Sequence, residues 1–150
     1  MDQLAPLVEI SLGTIPLLVT LSVHGVGMYV VQREFDRRGV AIYRSGSTGQ
    51  VFFGTMVVLM LATHLAEIIV WAMTLVALDA IRGFRDAFYF VAVTYTTLGY
   101  GEGTLPKDWR LLAPMIAIAG LFAFGWTTGM LVNLVSQAYR ERQSAASGRQ

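Results

Sequence analysis

In the second half of the sequence, residues 97–101 read TLGYG, a composition suited to binding a dehydrated cation. To replace the hydration shell of a cation, successive backbone carbonyls must point toward one axis, which a chain in uniform α or β geometry does not achieve. Alternating left- and right-handed dihedrals achieve it, and glycine adopts positive φ without a steric penalty. Gly99 and Gly101 stand at alternate positions, and the Thr97 hydroxyl adds a further oxygen. The segment therefore predicts a cation-binding loop, with the Tyr100 ring directed away from the axis.

The residues before this loop must hold it in place. Residues 87–95 are apolar and aromatic, but as a helix they rise only about 15–18 Å, too little to cross roughly 30 Å of hydrocarbon. We predict a short re-entrant helix over about residues 85–96, which survives in a membrane only if protein surrounds it. Its C-terminal dipole, roughly −0.5 charge, favours a cation at the loop. Because one loop supplies only one or two oxygens per layer, four copies are required.

Three longer apolar runs, residues 4–31, 51–78 and 111–135, satisfy the roughly 20 residues that a spanning helix needs. The chain is 55% hydrophobic and only 14% charged, whereas soluble domains are roughly 25% charged. We therefore predict an all-α membrane protein with three transmembrane helices per subunit. The re-entrant helix and the loop lie between the second and third of these helices, and the assembly is a four-fold symmetric tetramer.

The charged residues set the expected orientation in the membrane. No basic residue precedes Arg33, and cytoplasmic loops carry the excess of Lys and Arg. The positive-inside rule thus places the N-terminus outside the cell membrane and the C-terminus in the cytoplasm. A net charge of +1 gives no case for nucleic acid, and the absence of cysteine excludes disulfides and zinc–thiolate sites. The basic residues of the predicted inner segments are Arg33, Arg37, Arg38, Arg44, Arg140, Arg142 and Arg149.

Residues 94–102, TYTTLGYGE, closely resemble the potassium-channel signature, a Thr-x-Gly-Tyr-Gly loop usually followed by Asp. The resemblance extends over about residues 51–136 and is to the two-helix-plus-pore unit of bacterial potassium channels, with one additional helix in front. It implies a division into residues 1–49 (first helix and cytoplasmic loop), 50–136 (pore domain) and 137–150 (short cytoplasmic tail). It also implies a homotetramer in the plasma membrane whose partners are its own copies, lipids and K⁺, without a cofactor.

The resemblance assigns roles residue by residue. The carbonyls of the filter and the Thr97 hydroxyl would bind K⁺, Gly101 would complete the filter, and an aromatic cuff with two flanking residues would support it. Gly120 is the hinge candidate of the inner helix, and helical spacing from it gives the lining of a cavity and gate. The filter carbonyls are those of Thr97, Leu98, Gly99 and Tyr100; the supporting residues are Tyr89, Phe90, Thr96 and Glu102; the cavity and gate residues are Phe124, Thr128, Val132 and Ser136.

Two departures from the family pattern are evident. Glu102 replaces the usual Asp after the last filter glycine. Val93 occupies a position where some relatives have a carboxylate that hydrogen-bonds behind the filter. That bond cannot form here, so the inactivation behaviour of those relatives does not transfer.

Four ionisable residues lie inside the apolar runs, where they are costly and are functional candidates by default. They are Glu9, His24, His64 and Glu67. His64 and Glu67 are three residues apart on one helix face and form a candidate intramembrane pair. At about 1.5 Å per residue, Glu9 lies near the outer surface and His24 near the inner one, so the four are not expected to converge. Structural pairing, a proton-sensing switch and a metal site stay open, in that order of preference.

The sequence thus predicts a passive potassium-selective channel and not an enzyme. A nonselective monovalent cation channel of the same architecture is the nearest alternative. A non-conducting membrane sensor or assembly subunit is another, and a membrane metalloenzyme built on His64 and Glu67 is the third. No segment resembles a sensor of nucleotide, calcium or voltage, so the gating stimulus stays open.

Overall fold

A computed structural model describes residues 5–39, 47–100, 103 and 105–147, and the elements within these ranges are helical. The predicted loop residues Gly101 and Glu102, together with Arg44 and Arg149, lie outside the described residues. Four α-helices, a π-helical segment after the first and a short 3₁₀ turn before the last make up the fold. They are α1 (Ala5–Glu34), the π segment (Phe35–Gly39), α2 (Ser47–Ala77), α3 (Phe84–Tyr95), the 3₁₀ turn (Lys107–Trp109) and α4 (Leu112–Ser147).

Three helical segments are long and apolar enough to cross a membrane, as the sequence predicts. They are Pro6–Arg38, Thr48–Ala77 and Lys107–Arg140. The all-α membrane fold is therefore confirmed, and the predicted short helix is present as the 12-residue α3. Helix α4 continues to Ser147, past the residue at which we expected a polar tail to begin. The reason is local, because residues 137–147 include Gln, Ala, Arg and Glu, which favour helix, and neither Gly nor Pro.

The chain divides into two compact units. We call the first the loop unit (Met1–His24 and His64–Phe124) and the second the methionine unit (Gly25–Thr63 and Gly125–Gln150). Each has its own apolar core.

The core of the loop unit surrounds α3. Ala87, Val91 and Tyr95 follow one another at four-residue spacing along α3, and all three are fully buried. They belong to one cluster with residues of α2 such as Trp71 and residues of α4 such as Ile116. One face of helix α3 thus packs against the two long helices α2 and α4.

The core of the methionine unit is apolar and rich in methionine. Its buried residues are Met28, Val31, Phe35, Met56, Met60, Leu134 and Ala138. Gly27 allows close packing here, since a Cβ at this position would lie 2.4 Å from the Thr63 hydroxyl oxygen. Methionine is unbranched and fills irregular gaps, so this core depends on volume more than on directed bonds.

A tight turn ends α2 and directs the chain toward α3. The Ala80 amide donates to the Leu75 carbonyl at 2.9 Å and the Asp79 amide to Val76 at 3.0 Å, the pattern of a Schellman motif. Asp79 takes the left-handed position with φ of 50°, a conformation that Asp tolerates better than most residues. Gly83, with φ of 91°, then precedes the first residue of α3.

Candidate ion-binding site

The predicted loop begins where α3 ends. Thr96 caps the helix, since its amide donates to the Ala92 carbonyl at 3.1 Å and its hydroxyl to the same oxygen at 2.8 Å. The sequence names Thr96 as a supporting residue, and the structure places it between the last helical residue, Tyr95, and the loop. The start of the loop is therefore fixed by bonds to the final turn of α3.

The backbone of the loop alternates in hand, although not at the expected residues. Thr97 has φ of 58° and Gly99 has φ of 59°, while Leu98 between them has no positive φ. The glycine argument anticipates Gly99 but not Thr97. A β-branched residue in this region is a genuine outlier, and such conformations persist only where the surrounding structure over-determines them.

The amides of the loop point back toward α3. The Thr97 amide donates to the Thr94 carbonyl at 3.0 Å, and the amides of Leu98 and Gly99 both approach the Val93 carbonyl, at 2.9 and 3.4 Å. In a trans peptide unit the C=O points opposite to the N–H. Consequently the carbonyls that share those peptide units point away from the end of α3. They are the carbonyls of Thr96, Thr97 and Leu98, which form a consecutive row on one side of the loop.

An open cleft of about 700 Å³ separates the loop from one face of α3. Tyr89, Phe90 and Tyr100 all line this cleft. The two residues proposed for the aromatic cuff, Tyr89 and Phe90, therefore border the same cleft as the tyrosine of the proposed filter. Leu98 is 54% exposed and Tyr100 is 64% exposed within this single chain. Gly103, after the loop, returns close to Phe90, since a Cβ there would lie 3.8 Å from the phenyl ring.

A buried polar chain lies behind the loop, and we refer to His24, Glu67, Tyr95 and His64 as the polar chain. The Tyr95 hydroxyl donates to Glu67 Oε2 at 2.5 Å, and His24 Nδ1 lies 2.8 Å from Glu67 Oε1. His64 Nδ1 lies 3.0 Å from the Tyr95 hydroxyl oxygen. Because a tyrosine has one hydroxyl proton and it goes to Glu67, His64 must be the donor in its own contact. All four side chains are at least 95% buried.

Aromatic rings surround the polar chain on the side of α4. Phe124 stacks on His64 with ring centroids 4.6 Å apart and meets Tyr95 edge-on at 5.6 Å. The His24 and His64 rings lie 5.4 Å apart. The hydroxyl and the ring of Tyr95 are therefore each held by contacts from outside α3.

The expectation that the four intramembrane residues do not converge is wrong for His24, which meets the predicted pair of His64 and Glu67. Candidate metal-ligand atoms of His24, His64 and Glu67 lie within 4.8 Å of one another. The sequence argument took residue 31 as the end of the first helix, but helical structure continues to Gly39, so His24 lies nearer mid-helix. His64 and Glu67 share the Tyr95 hydroxyl.

Glu9, the fourth of these residues, is separate from the polar chain. It is 5% exposed, and its carboxylate accepts a hydrogen bond from the Leu111 amide. Leu111 immediately precedes α4, so Glu9 satisfies an orphan amide and complements the positive end of the helix dipole. Helix α1 thereby contributes one polar contact to the start of α4 and another to Glu67.

Gly120 has a packing role that the sequence does not reveal. A Cβ at Gly120 would lie 1.9 Å from the Tyr95 carbonyl oxygen, so only glycine lets α4 approach the end of α3 this closely. Helix α4 runs through this position without a break. The hinge role of Gly120 stays a prediction.

The proposed cavity and gate residues follow one another along α4. Phe124 is 41% exposed despite its ring contacts, Thr128 and Val132 are exposed, and Ser136 is half-buried. Phe124 belongs to the loop unit, whereas the other three belong to the methionine unit. Their lining of a cavity stays a prediction, since a single chain encloses no central cavity.

Sequence reasoning missed Tyr95 as a functional residue. It took Tyr95 only as part of an aromatic helix, although its hydroxyl links Glu67 and His64. One available signal was its four-residue spacing from Val91, which places it on the buried face of α3. A tyrosine on such a face needs a hydrogen-bond partner, and the two ionisable residues of the second apolar run, His64 and Glu67, were candidate partners.

Comparison with known protein families agrees with this architecture. The model of the family Ion_trans_2, described as ion channel, matches residues 63–137, which is half of the chain. The match covers α3, the loop and most of α4. No curated protein and no solved structure matches the chain. The chain belongs to the ion channel family, and with its three apolar helices it is a multi-pass membrane protein.

Proposed function

We propose that this chain is one subunit of a homotetrameric channel that passes K⁺ passively down its electrochemical gradient. The observation that carries the proposal is the row of carbonyls on one side of the loop, inferred from the amide bonds to Val93 and Thr94. Carbonyl rings of this kind replace the hydration shell of K⁺ in selective filters. Of the proposed filter residues, Thr97 and Leu98 contribute carbonyls to that row, and Gly99 and Tyr100 would supply the further oxygens, completed by Gly101.

The position of the loop at the C-terminus of α3 supports the same conclusion. The last carbonyls of a helix carry roughly half a negative charge, and here that end of the helix adjoins the loop. A cation at the loop would be stabilised by this charge. Asp86 lies in the first turn of α3, where a carboxylate complements the opposite end of the dipole.

The proposal of a tetramer is supported by the small number of oxygens that a single loop can offer to a cation. One loop offers a single column of oxygens, and a dehydrated K⁺ needs oxygens from several directions. Leu98 and Tyr100 are large and more than half exposed in the isolated chain, although the loop lies at the centre of the proposed assembly. We propose the plasma membrane as the location, with the N-terminus outside and the C-terminus in the cytoplasm. Lipids and K⁺ are the other partners, no cofactor or nucleic acid is involved, and the protein is not an enzyme.

The decisive experiment measures K⁺ and Na⁺ flux in liposomes that contain the purified protein, with barium as a pore blocker. K⁺ flux far above Na⁺ flux and blocked by barium supports the proposal. Equal fluxes of the two ions favour a nonselective cation channel. Absence of both fluxes across voltage, pH and lipid composition overturns the channel function and favours a sensor or assembly subunit.

A matched pair of glycine variants ties the flux to the loop. Gly99→Ala places a Cβ on a residue with φ of 59°, which L-residues other than Asn and Asp rarely adopt, and we expect loss of K⁺ flux. Gly54→Ala is the control, because its new Cβ would meet no atom within 4 Å. Equal flux from both variants would contradict the role of the loop.

A further inference from the structure

Helix α1 reaches the loop through a short series of buried bonds. His24 of α1 contacts one carboxylate oxygen of Glu67 at 2.8 Å, and the Tyr95 hydroxyl donates to the other at 2.5 Å. Tyr95 is the last residue of α3 and stands two residues before Thr97. A side chain on the first helix is therefore separated from the loop by one carboxylate and one tyrosine.

Each carboxylate oxygen of Glu67 has a hydrogen-bond partner, His24 for one and Tyr95 for the other. The two bonds together fix the position of the carboxylate. A buried carboxylate without partners is costly, whereas a network in which each member is satisfied favours one conformation. Replacing a buried ionic network by apolar residues is often neutral for stability. The network formed by His24, Glu67 and Tyr95 is therefore better explained by the position it imposes than by the stability it adds.

Residues outside α3 contact Tyr95 at its hydroxyl, its ring and its main-chain carbonyl. Glu67 and His64 bind its hydroxyl, and Phe124 contacts its ring. On the main-chain side, Gly120 permits α4 to pack directly against the Tyr95 carbonyl. Movement of this residue would break buried hydrogen bonds, which is costly.

The position of Tyr95 is transmitted to the loop by the main chain. The amides of Thr97 and Leu98 donate to carbonyls in the last turn of α3, at Thr94 and Val93. A displacement of that turn would therefore displace the row of carbonyls. Thr97 also holds a left-handed φ of 58°, which requires rigid surroundings.

We propose that His24, acting through Glu67 and Tyr95, positions the selectivity loop, so that the first helix sets the ion selectivity of the pore. This inference rests on the proposed channel function. The Tyr95 hydroxyl is fixed by His64 as well as by Glu67. His24, Glu67 and Tyr95 are positioning residues, because none of them is placed at the ion itself.

The fold offers independent anchors for α1, which makes the proposal testable by substitution. Glu9 binds the Leu111 amide, and Gly13 packs so closely that a Cβ would lie 2.6 Å from the Met115 sulfur. These contacts remain when His24 is changed. We therefore expect variants of His24 to keep α1 in place and to alter the loop alone.

The experiment is a double-mutant cycle read as the ratio of K⁺ to Na⁺ flux in liposomes. Tyr95→Phe removes only the hydroxyl, and His24→Leu removes the ring nitrogens. We expect each to lower the ratio about tenfold or more, and the double variant to be no worse than the poorer single variant, because residues that act in series are not additive. Ratios unchanged by both single variants, or losses that multiply in the double variant, would overturn the proposal.

Conservative and control variants separate positioning from general damage. His24→Asn retains an N–H near the place of Nδ1, and we expect it to restore most of the ratio. Thr20→Val is the matched control, since Thr20 is buried on the same helix and its hydroxyl, among the described residues, bonds to Pro16 and Leu17 of α1 itself. We expect Thr20→Val to stay within about twofold of the wild type. An equal loss in Thr20→Val would overturn the specific role of His24.

Two further measurements keep the outcomes distinct. Should His24→Leu fail to assemble, the nearly isosteric Tyr95→Phe and the His24→Asn variant decide the result. A stoichiometric transition metal in the purified wild type would overturn the proposal, because the metal would occupy the nitrogen and oxygen atoms that form the hydrogen bonds. A wild type that passes K⁺ and Na⁺ equally refutes the selective channel itself, whereas a selective wild type with unaffected variants refutes only the positioning role.

Discussion

The loop unit and the methionine unit are stabilised by different means. Within the described residues, the buried polar side chains besides Tyr95 are Glu9, Thr20, His24, His64 and Glu67, and all of these belong to the loop unit. The described core of the methionine unit instead combines three methionines with aliphatic residues, Phe35 and Ala138. Directed bonds specify one geometry, whereas methionine packing accepts several. The difference indicates that the loop unit requires an accurate conformation and the methionine unit chiefly requires a filled volume.

Two glycines of α4 give the largest test of this comparison. Gly120→Ala in the loop unit would place a Cβ 1.9 Å from the Tyr95 carbonyl oxygen, and overpacking against backbone costs about 3 kcal/mol or more. Gly129→Ala in the methionine unit meets no atom within 4 Å and should gain about 0.5–1 kcal/mol from helix propensity. Thermal unfolding in detergent checks both, and a similar stability for the two variants would contradict the close contact.

Removal of a polar group from the loop unit should lower the free energy of unfolding more than a conservative apolar substitution in the methionine unit does. Glu67→Ala removes the carboxylate that binds His24 and the Tyr95 hydroxyl, and breaking a buried network of this kind costs about 3–5 kcal/mol. Met60→Leu conserves volume in the other core and should cost less than about 1.5 kcal/mol. Denaturant unfolding of the two variants measures the difference. Equal losses would show that both cores depend on shape alone.

Relief of strain provides a test with the opposite sign. Thr97→Gly allows the left-handed φ of 58° without a Cβ and should raise stability by about 1 kcal/mol. The same variant removes the threonine hydroxyl and should lower the ratio of K⁺ to Na⁺ flux. Asp79→Gly is the control, because Asp79 also has a positive φ but lies in a turn away from the loop. A loss of stability in Thr97→Gly would contradict the strain.

The smallest effect is expected at the start of α4. Glu9→Gln removes the negative charge that complements the helix dipole at Leu111, an interaction worth about 1 kcal/mol. We expect the melting temperature to fall by about 2–4 °C. Ser11→Ala is the control, since the exposed Ser11 hydroxyl bonds only to Leu7 of its own helix. A shift in melting temperature no larger than that of the control would show that the Glu9 contact does not stabilise the loop unit.

Hydrophobic pattern and length were sufficient to predict the elements of this fold. The three spans begin within a few residues of the predicted positions and the short helix agrees at both ends, because both follow from how many apolar residues a membrane requires. The first and third helical segments continue further than predicted, to Gly39 and Ser147. The left-handed conformation of Gly99 was also predicted, since glycine is the usual residue in that conformation.

The arrangement of side chains between helices could not be predicted in the same way. The meeting of His24 with Glu67 depends on the axial register of α1 and α2, which packing sets and periodicity leaves open. The left-handed Thr97 contradicts its intrinsic preference and is imposed by its neighbours. Gly120 illustrates the same limit, because a glycine needed for close packing and one needed for bending are identical in sequence.

The contacts of α1 have a consequence for engineering and for evolution. A graft of the proposed pore domain would move two helices and the loop between them to another protein. In this chain, residues 64–124 would lose two partners on transfer, because Glu9 binds the Leu111 amide and His24 binds Glu67. A graft that omits the first helix would have to supply a new acceptor and a new donor at those two places. The transferable unit of this protein is therefore three helices and not two.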